Sequence, residues 1–173
     1  QYSTDRLTWT RLYSTAVTAA VGSDNEYHLY VRGIGNTKIT GASGTGSKWV
    51  LTGSNISCKG NIENLLDYVE VSNGNHPTMA TKCFMDMFYG CTDLISAPEL
   101  PAVTLTESCY EGMFYGCTSL LSAPDLPATA LATSCYKDMV NGCAALASVP
   151  KQLPATSLAT SCYSYMFSEC VTL

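Results

Sequence analysis

From Cys83 onward the chain repeats itself four times, and the repeat limits what this half can fold into. Read from each Met, Met87 to Gly112 is MFYGCTDLISAPELPAVTLTESCYEG and Met113 to Asp138 is MFYGCTSLLSAPDLPATALATSCYKD, identical at 17 of 26 positions. A third unit, MVNGCAALASVPKQLPATSLATSCYSY, starts at Met139 with one extra residue near Lys151-Gln152, and a fourth opens at Met166 as MFSECVTL. A fixed period of about 20 to 50 residues marks a stack of units, each burying its apolar face only against its neighbours. The sequence begins abruptly at Gln1 and stops inside a repeat at Leu173, so it reads as a fragment.

Nine cysteines would ordinarily suggest a secreted disulfide scaffold. Their phases argue otherwise. Cys83, Cys109, Cys135 and Cys162 share one position of the repeat, Cys91, Cys117, Cys143 and Cys170 share another, and Cys58 stands apart. Eight residues of helix would separate the two cysteines of a unit by roughly 12 Å, beyond the ~7 Å between Cα atoms that a bridge spans. Bridges between stacked units are compatible with the spacing. The odd total and the recurrence of a small-residue slot favour buried free thiols.

Within a unit, Cys109, Tyr110, Met113, Phe114 and Cys117 fall on one helical stripe. Ser108 and Glu111 have the form of a capping box, and Gly90, Gly116 and Gly142 stand where a left-handed closing residue is wanted. Leu120 to Ala123 then extends as a short strand that Pro124 ends, because proline lacks the N–H that ladder pairing needs. These signals predict a short helix plus a short strand in each 26-residue repeat.

The first half carries no repeat. Leu7 to Ser14, Glu26 to Gly33 and Lys48 to Gly53 are rich in aromatic and β-branched residues and are separated by Gly, Asn and Ser clusters, which predicts a small all-β unit over 1–57. Residues 58–82 form a transition, in which Gly60 to Val69 reads as a short helical turn with Ile62, Leu65 and Leu66 on its apolar face. The repeats then occupy 83–173.

The pattern C-Y-x-x-M-F-x-G-C-T-x-L-x-x-A-P-x-L-P-A-T, present as Cys109 to Thr129 and in its neighbouring copies, resembles the BspA-like leucine-rich repeats of bacterial cell-surface proteins and of related phage or mobile-element proteins. The first half is similar to the leader of such proteins, with Tyr2 to Thr10, Tyr30 to Gly33 and Gly60 to Ile62 in the same order. The unit departs from LxxLxL where Ala97 and Ala123 replace a Leu and where Pro98, Pro124 and Pro150 interrupt the strand. The resemblance implies an α/β leucine-rich-repeat solenoid behind a small N-terminal all-β unit. For function it implies adhesion or recognition of a protein or glycan, at a cell surface or on a virion, without catalysis.

Composition narrows the alternatives. With 46% apolar residues the chain has ample core, and a net charge of -5 offers no basic surface for a phosphate backbone, so nucleic acid is not an expected partner. No apolar run reaches the ~18 residues a bilayer span needs, and no signal peptide is expected in QYSTDRLTWT. GASGTGSK (Gly41 to Lys48) misplaces its Lys for a phosphate-binding loop and reads as a hairpin or loop, and the GxG at Gly33 and Gly35 lacks a third Gly at Lys38. Only His28 and His76 are available as bases for a thiolate or as nitrogen ligands, and no CxxC pair occurs, so no catalytic, cofactor or metal residues are assigned. Asn55-Ile56-Ser57 matches a glycosylation acceptor.

If the repeats bind a ligand, the variable set beside the short strand is the expected surface: Ile95, Ser96 and Glu99, then Leu121, Ser122 and Asp125, then Ala147, Ser148 and Lys151. The expected function is a non-catalytic recognition module binding a protein or glycan through that surface. A phage tail or receptor-binding accessory protein, an accessory region of a larger enzyme, and a structural spacer are the alternatives.

Overall fold

The structure, a computed structural model, describes residues 1–12, 16–40 and 48–173. Gly41 to Ser47 of the expected Gly/Ser loop and Tyr13 and Ser14 of the first expected strand lie outside the described residues. Among the described residues the strands are β1 (Tyr2–Ser3), β2 (Ala20–Val21), β3 (Tyr27–His28), β4 (Tyr30–Val31), β5 (Ile56–Ser57) and β6 (Leu94–Ser96), with one helix, α1 (Asn64–Ser72). They pair as separate two-stranded sheets: β1 with β4 and β2 with β3 antiparallel, β5 with β6 parallel. Among the described residues no helix is long and apolar enough to cross a membrane.

This overturns the α/β leucine-rich-repeat solenoid. No repeat contains a helix, and only the first contributes a strand, β6; later units show isolated bridges at Thr104↔Ala130 and Ser122↔Ser148. With helix and strand missing from the unit, the leucine-rich-repeat description falls. Adhesion and phage association, which came with it, have no support in the fold.

The stripe read as a helix is a run of overlapping turns. Cys109, Glu111, Met113, Tyr115 and Cys117 donate their N–H groups three residues back, to Thr106, Ser108, Tyr110, Gly112 and Phe114. The intervening N–H groups leave the unit: Ser108, Tyr110, Gly112, Phe114 and Gly116 donate to the carbonyls of Thr133, Cys135, Lys137, Met139 and Asn141 at 2.8–3.0 Å. The same alternation joins the flanking units, as in Phe84 to Cys109 and Val140 to Met166. It requires a left-handed residue every fourth position, and Ser108, Gly112 and Gly116 have φ of 52°, 59° and 68°. Ser108 is therefore no helix cap, and Gly116 is the third left-handed position of the run, not its stop. Because half of the donors are committed to the next unit and the other half bond three residues back, no N–H groups are left for an i→i−4 helix.

Side chains stack at the same period. Phe84, Tyr110, Tyr136 and Tyr163 lie ring over ring at 5.6–5.8 Å, Phe88 over Phe114 at 5.5 Å and Tyr89 over Tyr115 at 4.9 Å. The Met87, Met113, Met139 row and the Leu94, Leu120, Leu146 row are all fully buried. The ring stack and the ladder continue past the extra residue near Lys151, but the Leu row does not stay covered: Leu100 and Leu126 are 2% exposed, whereas their successor Leu153 is 43% exposed.

The N-terminal segment covers the first unit by imitating a layer. Ile39 and Thr40 donate to the Cys83 carbonyl and Trp49 donates to that of Met87, while the Cys91 thiol donates to the Trp49 carbonyl at 3.3 Å. Lys48 to Gly53, expected as a strand, is drawn into this role and has no strand partner. Leu7 to Ser14 also fails as a strand over its described part. The Asp5 carboxylate accepts from the Leu7 and Thr8 N–H groups, and the Ser3 hydroxyl from that of Arg6, which closes an Asx-type bend. Glu26 to Gly33 splits into β3 and β4. Ile62, Leu65 and Leu66 are buried as expected of the Gly60 to Val69 turn, which forms the start of α1.

Gly33 joins the two layers of this half: its N–H donates to Asn64 and its carbonyl accepts from Tyr68. A Cβ there would stand 1.7 Å from the Leu65 carbonyl oxygen, and backbone cannot rotate aside. Gly33→Ala is expected to cost about 3 kcal/mol or more, at the upper end for overpacking, read from chemical denaturation. A loss under about 1 kcal/mol would show that the seam between β4 and α1 is loose.

Candidate strand-side recognition groove

Proline sets the geometry of the strand side. Each A-P-x-L-P stretch places two prolines three residues apart and fixes φ there; Pro98 is buried, and Pro101, Pro124 and Pro127 are half-buried. In adjacent units Pro98 and Pro101 face Pro124 and Pro127 across a groove of about 260 Å³ that also includes Ala97 and Leu100. Glu99 and Asp125, at the same position of their units, contribute the carboxylates of this groove. Both are exposed, and neither carboxylate has an ion pair or hydrogen bond among the described residues.

Of the residues expected to bind, the structure gathers only these two into one concavity. Ile95 and Ser96 are half-buried in β6, where the Ser96 carbonyl accepts from Cys58 N–H and its hydroxyl reaches the Cys58 carbonyl at 3.4 Å. Ser96 is thus engaged by the N-terminal half, while the Ile95 carbonyl accepts from Leu121 N–H in the next unit. Leu121 is 54% exposed and its carbonyl accepts from Ala147 N–H. Ser122 and Ser148 are exposed and bridged to one another, while Lys151 is exposed but lies outside the groove lining. From the sequence Pro98 and Pro124 read as strand breakers, and Pro101 and Pro127 carry no assigned role. Their regular spacing was the signal that they also form walls.

The thiols are not arranged for chemistry. All nine cysteines are free, and seven of them are buried. Burial pushes the Cys58 thiol up to about 11 and the Cys83, Cys109 and Cys143 thiols up to about 12, with Cys117 raised further. Cys117, Cys143 and Cys170 instead donate their S–H to the carbonyls of Phe88, Phe114 and Val140 in the preceding unit. His28 pairs with Asp24 and His76 with the buried Glu63. Among the described residues no three His, Cys, Asp or Glu gather as a metal site.

No protein-family model, no curated protein and no solved structure matches the chain. The likeness of the repeats to BspA-like sequences thus rests on the residues quoted for it.

Proposed function

We propose that the chain is a non-catalytic recognition module that holds a protein ligand at the proline-walled groove, through a basic side chain placed between Glu99 and Asp125. The observation that carries this reading is the pairing of two exposed, partnerless carboxylates on rigid walls. Proline rings lose little freedom when covered, so the cost of ordering the site on binding is low. An arginine or lysine between two carboxylates makes charge-assisted hydrogen bonds to both, and its stem covers the apolar ring faces.

A test is to screen the protein against basic, acidic and neutral peptides and to repeat it with Glu99→Gln combined with Asp125→Asn. Binding of basic peptides alone, weakened about tenfold or more by the double change, is the expected result. Stability should move by no more than about 0.5 kcal/mol, as for surface substitutions. Equal binding by the double variant would end this reading.

A further inference from the structure

A second concavity, of about 410 Å³, lies on the N-terminal half and has the opposite charge. Arg6, Arg32 and Lys59 line it, three of the chain's nine Lys and Arg in a protein of net charge -5. The Arg32 guanidinium sits 3.7 Å from the Trp9 ring centre and 4.0 Å from that of Tyr68, and Arg6 sits 4.3 Å over Tyr30. None of the three cations has a carboxylate within 4.0 Å among the described residues. The nearby acids in sequence are engaged elsewhere. Asp5 takes the N–H groups of Thr8 and Leu7, which hold its carboxyl down at about 2, and Asp67 takes those of Gly35, Val69 and Glu70.

Stacking fixes the plane of a guanidinium while leaving its in-plane donors free, so Arg32 is already ordered for a planar or tetrahedral oxyanion. Its Nε–H is given to the Gln1 side-chain oxygen at 2.9 Å, which leaves the terminal nitrogens for a ligand. Asn61 and Asn64 also line the groove. The Asn61 oxygen accepts from Glu63 N–H, and neither the Asn61 NH₂ nor the Asn64 amide has a hydrogen-bond partner among the described residues. The Asn64 amide, which can both donate and accept, and the Asn61 NH₂ suit the hydroxyl groups that a sugar supplies beside its anionic group.

We propose that the groove formed by Arg6, Arg32, Lys59, Asn61 and Asn64 binds an acidic saccharide, its carboxylate or sulfate held by the cations and its hydroxyls by the amides. This site is separate from the proline-walled groove and stands or falls without it.

The test is calorimetric titration of the whole chain at low salt with a heparin-derived oligosaccharide, an oligogalacturonate, a neutral maltooligosaccharide and an oligoglutamate peptide. One or both acidic saccharides should bind, and which of them binds tells sulfate from carboxylate. Arg6→Gln with Lys59→Gln, both at exposed positions, should weaken that binding about tenfold or more with an unchanged melting temperature. Arg32→Lys keeps the charge but loses the stacked fork, and should weaken it as well. Glu99→Gln with Asp125→Asn should leave it intact. The proposal is overturned if neither acidic saccharide binds, if the Arg6 and Lys59 changes leave the affinity intact, or if the maltooligosaccharide or the oligoglutamate binds as tightly.

Discussion

Phe114→Ala is expected to lower stability by about 3 to 5 kcal/mol, the range for emptying a buried aromatic site. Phe114 is fully buried and stacked on Phe88, and its backbone sits mid-ladder, donating to Met139 and accepting from the Cys143 thiol. Val140 holds the equivalent position in the next unit, so the hole would lie between a ring and a shorter branched chain and collapse only in part. Against a typical total of about 5 to 15 kcal/mol, such a loss is a large fraction of the whole. Urea titration monitored by circular dichroism measures it. A loss below about 1 kcal/mol would show that the ring rows contribute little to joining the units.

The thiols give the second large effect. At pH 8 the native protein should resist iodoacetamide at its buried cysteines, whereas the denatured protein should take up reagent at all nine without any reductant, as mass spectrometry would show. The same burial makes the fold sensitive to alkali. In the unfolded chain the thiols ionise near the ordinary 9.0, while Cys83, Cys109 and Cys143 are held neutral up to about 12. Below pH 9 both states are protonated and the stability is fully present. Between pH 9 and 12 the unfolded state alone loses protons, so each such thiol removes about 1.4 kcal/mol per pH unit. The melting temperature should therefore fall steeply above pH 9. A flat profile to pH 10.5, or alkylation of native protein at Cys109 or Cys117, would contradict the burial described.

The Met, aromatic and Leu94–Leu120–Leu146 rows were legible in the sequence because identity at fixed spacing reports which side chains meet, whatever the backbone does. The backbone was not legible. Cys109, Met113 and Cys117 recur every four residues, a spacing that a helix face and a run of four-residue turns share. The discriminating residues were Ser108, Gly112 and Gly116, also four apart: one glycine reads as a helix end, but left-handed positions in series do not fit inside a helix. Lys48 to Gly53 looked like a strand because Trp49 and Val50 favour one, and tertiary pairing with Met87 overrode that preference. Of the strand-side site, Glu99 and Asp125 were visible as a recurring phase, while the engagement of Ser96 by Cys58 depends on a contact across 38 residues of sequence. The cation–aromatic groove joins Arg6, Arg32 and Lys59 from distant segments, so no local pattern announced it.

The alternation of bonds between units also gives the stack a direction. In every unit the outgoing groups on the turn side are N–H donors on one face and carbonyl acceptors on the other. Ile39, Thr40 and Trp49 occupy acceptors of the first unit, but on the far side the N–H groups of Ser161, Tyr163, Tyr165, Phe167 and Glu169 meet no acceptor among the described residues. Two such faces brought together would set donor against donor, so this surface cannot mate with its own image, unlike an exposed β-strand edge, which carries both kinds of group. Any layer added there must arrive with its carbonyls leading, just as the N-terminal segment meets the opposite face with its N–H groups, so the stack has a fixed polarity.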